Sequence, residues 1–374
     1  MGVWMEPLVK SAVLITALYT MAVYLMALEQ MAARYVTDRV KPEWQGVSGL
    51  LEPLREFLAT FPADIGEISS PANRENQSAA VRLHTVILLS FAILAFAAVP
   101  FGPSLPIGNG STAFALSVAP GLEGGVLFVL AMSGLSLFGL VVSTGTQAGF
   151  DRATPFMANL VAVALCVVGA VLMSGTLRLD QMATLQSTTG TWWIALEPLG
   201  FAAFVLCLVS AAQNIPASIA MRKDSVERPG GGAMFSVNSQ VLAGWLHAVL
   251  LAYLLVLLYL GGWHFWWLTD RPEALPYSAV RALLGFCVLN VKVAVVIVWL
   301  FAFRQKHLRT GTTSFFAHTW KVAIPLALLN LLLTAGCNEF LNDADIVARA
   351  AICWGMLVVS LPVSAALYRK FHPV

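Results

Sequence analysis

Few ionisable residues of this sequence lie where they could do chemistry inside its long apolar runs. Lys292 stands in the middle of VLNVKVAVVIVW, where an unpaired ammonium inside a bilayer would cost a few kcal/mol. We therefore predict either that Lys292 is paired inside a larger assembly or that its long side chain reaches the membrane surface. Glu29 ends the first apolar run, with Arg34 about one turn further on. It predicts either a functional carboxylate or a plain charge pair at the membrane interface.

Carboxylates are missing from most of the apolar sequence. There is no Asp or Glu within 124–150, 152–179, 198–223, 228–269 or 274–338. A proton relay through lipid needs groups that bind and release protons near the working pH, and amides and leucines do not. We therefore expect the membrane interior of this chain to carry protons poorly by itself.

Other kinds of site leave no signature in the sequence. The five cysteines show neither Cys-x-x-Cys nor Cys/His ligand spacing, which favours buried thiols over a metal site. No P-loop, dinucleotide fingerprint or Gly-x-Ser-x-Gly occurs, so we expect no nucleotide binding or hydrolysis. The net charge of +2 and the lack of a basic stripe argue against a nucleic-acid partner.

Composition sets the elements that must position these residues. Of the 374 residues 58% are hydrophobic and 11% charged, which predicts an all-α polytopic membrane protein. A helix rises about 1.5 Å per residue, so a membrane core of about 30 Å needs about 20 apolar residues. Nine runs approach that length, and the first has no cleavage site and is predicted to be retained. They are 8–28, 82–101, 122–143, 155–174, 198–213, 240–263, 278–303, 315–338 and 346–368.

Charge predicts the orientation of these runs. With the amino terminus outside and the carboxyl terminus in the cytoplasm, the inner segments carry 15 Lys and Arg residues and the outer segments 5. This imbalance favours that topology under the positive-inside rule. The segment 48–61, SGLLEPLREFLATF, has its leucines and phenylalanines at helical spacing. It predicts an interfacial amphipathic helix on the inner side, or a plain connecting helix.

Two stretches carry a family resemblance. The first is ALEQMAARYVTDRVKPEWQGVSGLLEPLREFLATF at 27–61, and the second is FRQKHLRTGTTSFFAHTWKVAIPLALLNLLLTA at 303–335. Together with the order of elements between them, they resemble the family of H-type membrane subunits of complex I, which form the quinone site of NADH:quinone oxidoreductases. Lys41, Glu43 and Trp44 depart from the pattern. The resemblance implies an eight-span membrane domain of this H type over 1–338, with 339–374 as an extension that carries the ninth span.

The resemblance also implies functional residues. In that family the first span, the amphipathic helix and the loop after the fifth span close a chamber in which quinone is reduced by a docked iron–sulfur protein. The implied quinone-site residues here are Glu29, Arg34, Arg39, Pro53 and Glu56. The implied residues for docking the peripheral arm are Asn214, Pro216, Arg222, Lys223, Arg228, Arg304 and Arg309. For Arg304 and Arg309, ordinary positive-inside charge is the competing interpretation.

This sequence departs from the family where the family carries acids. The loop NIPASIAMRKDSVERPGGG matches the characteristic segment only at Asn214 and Pro216, and its acidic cluster is reduced to Asp224 and Glu227. The family's buried Ser-Tyr-Glu is replaced by Ala158, Asn159 and Leu160. A further acid near the end of the fifth span is replaced by Ala212 or Gln213, depending on the alignment.

The resemblance implies a subunit that is not catalytic alone. It would anchor the electron-transfer arm and help to form the quinone site in a bacterial inner membrane, with the usual carboxylate proton path largely lost. Its partners would be other membrane and peripheral subunits, lipid and quinone; iron–sulfur clusters and any flavin would sit on partners, with no cofactor bound covalently here. The alternatives are a structural pseudo-subunit of a complex I-related or hydrogenase-related assembly without quinone chemistry, and an independent carrier or channel.

Overall fold

The structure is a computed structural model that describes residues 5–38, 79–107, 112–144, 147–215, 232–265, 279–310, 320–340 and 346–371. Each of the nine predicted apolar runs falls on a long helix, so the all-α membrane fold is confirmed. The nine helices are α1 (Met5–Asp38), α2 (Ala79–Leu94), α3 (Gly125–Thr144), α4 (Gln147–Ser174), α6 (Pro198–Asn214), α7 (Gly232–Tyr259), α8 (Ala279–Thr310), α9 (Trp320–Phe340) and α10 (Ile346–Phe371). A short helix, α5 (Leu179–Thr189), lies between α4 and α6.

The helices differ in how well they suit a membrane crossing. In the part of the chain described, five contain segments long and apolar enough to cross a bilayer, and four contain shorter apolar segments. The first set comprises Met5–Met26, Phe156–Ser174, Gln240–Tyr259, Val280–Lys306 and Lys321–Phe340. The chain is therefore a multi-pass membrane protein, and the count of nine spans stays a prediction.

Helix α7 forms the centre of the bundle. From Val241 to Tyr259 nearly every side chain is buried, which suits a helix that is apolar all round. Helices α1, α2, α6 and α8 pack against it, while α4, α6 and α9 pack closely on one another. Helix α10 packs on α6 and α9 and leaves much of its apolar surface exposed.

Short elements close the end of the bundle at which α7 stops. A 3-10 turn at Ala95–Ala98 follows α2, and the strands β1 (Leu105–Ile107) and β2 (Thr112–Phe114) pair antiparallel with Leu105 opposite Phe114. Helix α5 ends at Gly190, whose φ of +64° is a conformation that glycine adopts without strain. A second 3-10 turn at Trp193–Ala195 leads into α6. These pieces place α5 and its flanking segments beside the end of α7.

Two sequence expectations have separate outcomes. Four of the cysteines are buried thiols as expected, whereas Cys287 is exposed on α8. The predicted amphipathic helix at 48–61 lies outside the described residues. Among the described residues, no cluster of His, Cys, Asp and Glu could hold a metal ion.

Candidate functional site

A buried ion pair joins the first helix to the eighth. Glu29 of α1 is 2% exposed and Arg304 of α8 is 0% exposed. The Nη2 atom of Arg304 donates to Oε1 of Glu29 at 2.6 Å. The indole Nε1 of Trp245, a buried residue of α7, donates to Oε2 of Glu29 at 3.0 Å. Both carboxylate oxygens of Glu29 are thus occupied by donors from two other helices.

The same guanidinium caps the end of α6. Arg304 donates to the main-chain oxygen of Ala212 through Nη1 and to that of Ile215 through Nη2, the latter at 3.0 Å. The last carbonyls of a helix have no partner inside the helix, so a cation placed there satisfies them. Ile215 also packs closely on Gly244 of α7, where an added Cβ would lie 2.8 Å from the Cγ1 atom of Ile215. Arg304 therefore fixes the point at which the segment 216–231 leaves the bundle.

We call this region the Glu29 end, defined by Glu29, Ala212, Ile215, Trp245 and Arg304. It joins α1, α6, α7 and α8 through a charge pair that is fully shielded from solvent. Breaking such a pair by removing one partner costs about 3–5 kcal/mol, because the other charge is left buried and uncompensated. The four helix segments are therefore held in one arrangement as long as the pair is intact.

The structure brings together residues that the sequence analysis assigned to different tasks. Glu29 was predicted at the quinone site and Arg304 at the docking surface, yet the two are in direct contact. Arg304 lies inside the bundle and not on the surface where the docking prediction placed it. Arg34 lies on α1, Asn214 ends α6 and Arg309 lies near the end of α8, and only their backbones are described. The remaining predicted site residues lie outside the described residues; they are Arg39, Pro53, Glu56, Pro216, Arg222, Lys223 and Arg228.

Lys292 has an arrangement that neither sequence-based alternative included. Its Nζ donates to the main-chain oxygens of Leu260 at 2.6 Å, Gly262 at 3.0 Å and His264 at 2.6 Å. The ammonium also lies 4.3 Å from the centroid of the Trp192 ring, within cation–π range. These carbonyls follow directly on α7, so Lys292 binds the negative end of that helix within its own chain.

Gln186 of α5 completes this second cluster. Its Nε2 donates to the main-chain oxygen of Leu257 at 2.8 Å, and its Oε1 accepts from the backbone N–H groups of Gly261 at 3.0 Å and Trp193 at 3.2 Å. We call the region of Gln186, Trp192, Lys292 and residues 257–264 the Lys292 end. It binds the end of α7 to the segment between α4 and α6.

Glu197 is a buried carboxyl that the sequence analysis missed. It is 1% exposed, directly precedes α6, and accepts a hydrogen bond from Oγ1 of Thr334 on α9 at 2.9 Å. Gly169 of α4 leaves room for it, since a Cβ there would lie 3.4 Å from Oε1 of Glu197. Its signal in the sequence is an acid directly before a proline at the first turn of a helix. The expectation of an interior without carboxylates is therefore corrected, because Glu29 and Glu197 are both buried.

Neutral residues do fill the positions at which the resemblance expected acids. Asn159 is 2% exposed and donates from Nδ2 to the main-chain oxygen of Cys207 at 3.1 Å. Ala212 and Gln213 are buried at the end of α6, and Leu160 is half-buried near Gly134. The core of α4 and α6 thus offers amides and alkyl groups at these places.

Fold and buried charges together define a multi-pass helical membrane protein that holds four helix segments around one charge pair. Residues 9–335 match the family model described as NADH dehydrogenase. That match covers most of the chain, so the chain belongs to this family, the H-type membrane subunits of complex I, and the resemblance drawn from the two end motifs is confirmed. Helix α10 lies beyond the matched residues.

Relatives from several bacteria support the same assignment. The chain is 30% identical over 346 residues to a second H subunit of the NADH-quinone oxidoreductase of Cereibacter sphaeroides, covering 87% of this chain and 97% of the relative. It is 26% identical over 338 residues to a first H subunit of the same enzyme in Geobacter metallireducens, covering 87% and 94%. It is 24% identical over 324 residues to the H subunit in Aquifex aeolicus, covering 83% and 90%.

Proposed function

We propose that this chain is the membrane subunit that anchors the electron-transfer arm and forms part of the quinone site in a complex I-like oxidoreductase of a bacterial inner membrane. The observation that carries the proposal is the Glu29 end. There, a buried charge pair fixes the start of the segment 216–231, which bears most of the predicted docking residues. The relatives named as H subunits of NADH-quinone oxidoreductases support the same role.

The geometry favours one common surface for docking. The segment 216–231 begins one residue after Ile215, and α8 continues from Arg304 to Arg309 and Thr310. Because Arg304 binds both the end of α6 and Glu29, these segments emerge from one place in the bundle. The cations Arg222, Lys223, Arg228 and Arg309 would then face the same partner.

Glu29 acts in this proposal as a positioning residue. Reduction of a quinone to a quinol takes up two electrons and two protons, and the electrons would come from an iron–sulfur partner. Both oxygens of Glu29 already accept hydrogen bonds, from Arg304 and from Trp245, which stabilises the carboxylate form. Glu29 therefore holds the wall of the chamber mouth, and the protons come from other groups.

Predicted orientation follows from the same proposal. The Glu29 end faces the cytoplasm, with the amino terminus outside, because the inner segments carry most of the Lys and Arg residues. A cytoplasm-dependent fluorescent reporter fused after Val374 is expected to be active. An active periplasmic reporter at the same position would reverse the orientation.

Co-purification tests the proposal. A tagged chain is isolated from native membranes in mild detergent, and its partners are identified by mass spectrometry and by the electron paramagnetic resonance of reduced iron–sulfur clusters. We expect iron–sulfur and other membrane subunits to be recovered with wild type, and to be lost with Arg304→Gln while Lys306→Gln retains them. A chain that runs alone, or that transports solute alone in liposomes, would contradict the proposal.

A structural pseudo-subunit without quinone chemistry is the second candidate. It is favoured by the neutral residues at Asn159, Leu160 and Ala212, where the resemblance expects carboxylates. The two candidates differ in quinone binding. An assembly that retains this chain and its partners yet neither carries quinone nor binds a quinone-site inhibitor would favour the second candidate over the first.

A further inference from the structure

A cavity of about 310 Å³ lies at the end of the bundle where α8 begins. Its walls come from residues 100–104 after α2, residues 115–121 after β2, one face of α5, and the first turns of α8. Gly285 brings α8 directly against the first of these walls, since a Cβ there would lie 2.8 Å from the Cγ atom of Pro103. The cavity is thus built by packed backbone from four separate parts of the chain.

Charge in this cavity favours an anion. Arg281, in the first turn of α8, lines it, and the amino-terminal end of a helix adds a partial positive charge. Asp180 also lines it, but its carboxylate is bound by the guanidinium of Arg178 through two hydrogen bonds, at 2.7 and 3.2 Å. The acid in the lining is therefore neutralised by a cation beside it, and Arg281 leaves a net positive charge.

The remaining lining suits a phosphate group. A guanidinium presents five N–H donors in a planar fork, so it can bind a phosphate while keeping another partner. The hydroxyl groups of Ser104 and Ser117 line the same cavity and can donate to phosphate oxygens. A phosphate held there would meet a guanidinium, hydroxyl groups and a helix end together.

An apolar strip on α8 starts beside the cavity. Val280 and Leu283 flank Arg281 and are 56% and 57% exposed, and Val291, Val295 and Val298 continue the strip along the helix with 61–67% exposed. Their spacing of three or four residues places them on one face of α8. A ligand with a phosphate and long alkyl chains would therefore match the cavity with one part and the strip with the other.

We propose that this cavity binds the phosphate group of a membrane phospholipid whose acyl chains lie along the exposed face of α8. The binding site consists of Arg281, the hydroxyl groups of Ser104 and Ser117, and the strip from Val280 to Val298. This inference does not depend on the proposed electron-transfer role, because it concerns the opposite end of the bundle from Glu29.

Lipid retention tests the proposal. The chain is purified in mild detergent with its associated subunits, and bound phospholipid is counted by mass spectrometry. We expect wild type to retain phospholipid and Arg281→Gln to retain about tenfold less or lower, as loss of a charge-assisted hydrogen bond implies. Arg349→Gln is the matched control, because Arg349 lies in the first turn of α10 and donates to the main-chain oxygen of Cys337. It is expected to retain lipid as wild type does.

Two further measurements separate the possible ligands. Ala282→Leu fills the cavity without removing a charge and is expected to lower retention in the same way, which keeps the test valid if Arg281→Gln folds poorly. A delipidated sample is then titrated with a short-chain phospholipid or with inorganic phosphate, and its melting temperature is recorded. Stabilisation by the phospholipid alone supports the proposal. Equal stabilisation by phosphate, or unchanged lipid retention in both variants, would overturn it.

Discussion

The Glu29 end and the Lys292 end both bury a cation, but they satisfy it differently. At the Glu29 end, Arg304 faces a carboxylate and the open end of α6. At the Lys292 end, the ammonium faces three main-chain carbonyls after α7 and the ring of Trp192. One cation is neutralised by a full opposite charge and the other by dipoles.

This difference separates a long-range connection from a local one. Arg304 and Glu29 lie 275 residues apart and connect the first helix to the eighth. Lys292 lies about 30 residues after the carbonyls that it binds and closes the turn between neighbouring helices. We infer that the Glu29 end holds the arrangement on which assembly depends, whereas the Lys292 end is part of the scaffold.

Loss of Arg304 is expected to have the largest effect. Arg304→Gln leaves the Glu29 carboxylate buried without a cation and should lower the free energy of unfolding by about 3–5 kcal/mol. The measurement is unfolding by SDS titration in mixed micelles. The double variant Glu29→Gln with Arg304→Gln removes the stranded charge and should lose less than the single variant. If the double variant loses as much as the two single variants added together, the pair is not coupled.

A substitution at Gly261 tests the tight packing of the Lys292 end. Gly261 has φ of +74°, and an added Cβ would lie 2.6 Å from the Cδ1 and Nε1 atoms of Trp192. We expect Gly261→Ala to cost about 2–4 kcal/mol, from left-handed strain and overpacking together. Gly175 has φ of +65° with nothing within 4 Å of such a Cβ, so Gly175→Ala reports the strain alone. Equal losses in the two variants would show that Trp192 does not restrict the turn.

Removal of the Lys292 ammonium should cost less than removal of the Arg304 guanidinium. Lys292→Met leaves three carbonyls without their donor but strands no full charge, so we expect a loss of about 1.5–3 kcal/mol in the same titration. Lys306→Met, at an exposed position further along α8, should change stability by no more than about 0.5 kcal/mol. A loss at Lys292 that matches or exceeds the loss at Arg304 would break the comparison between the two ends.

The smallest expected effect is a pH dependence outside the spanning helices. Partial burial alone would raise the pKa of Asp180, but the Arg178 guanidinium and the backbone N–H groups of Gln181 and Asp180 together lower that pKa below its usual value. The pair therefore stabilises the fold above the unfolded pKa, and its contribution is lost as the pH falls below about 4. Both side chains are partly exposed, so the contribution is about 0.2–1 kcal/mol.

Comparison of wild type with Asp180→Asn measures this contribution. The difference in unfolding free energy between the two should be constant from pH 7 to 5 and should shrink below about pH 4. A difference that grows on acidification would mean that the pair does not favour the ionised form of Asp180. The same titration at higher salt should reduce the difference at pH 7 as well.

Much of the fold could be predicted from the sequence, because apolar runs of membrane length are a local signal. All nine runs fall on helices, and the family motifs at 27–61 and 303–335 led to the correct family. The contacts between helices were not predictable in the same way. Periodicity identifies which face of a helix is apolar, but not which distant residue that face will meet, so the pairing of Glu29 with Arg304 was missed.

Two other residues show where local signals stop. Glu197 was left out of the interior because it precedes the predicted span by one residue, and only the packing of α4, α6 and α9 shows that it is buried. Lys292 was judged by the cost of an unpaired charge in lipid, which ignores main-chain carbonyls at a helix end as partners. Both errors arise because a sequence shows the helices but not where their ends meet.

Site-specific photo-crosslinking in the native membrane tests most directly the claim that this chain works by binding partners at its Glu29 end. One photoreactive residue replaces Ser225, in the segment that starts at the Glu29 end, and another replaces Glu273, in the segment that precedes α8 at the opposite end. The account predicts that position 225 cross-links to an iron–sulfur protein of the assembly and position 273 does not. Cross-linking of that protein from position 273 with none from position 225 would contradict it.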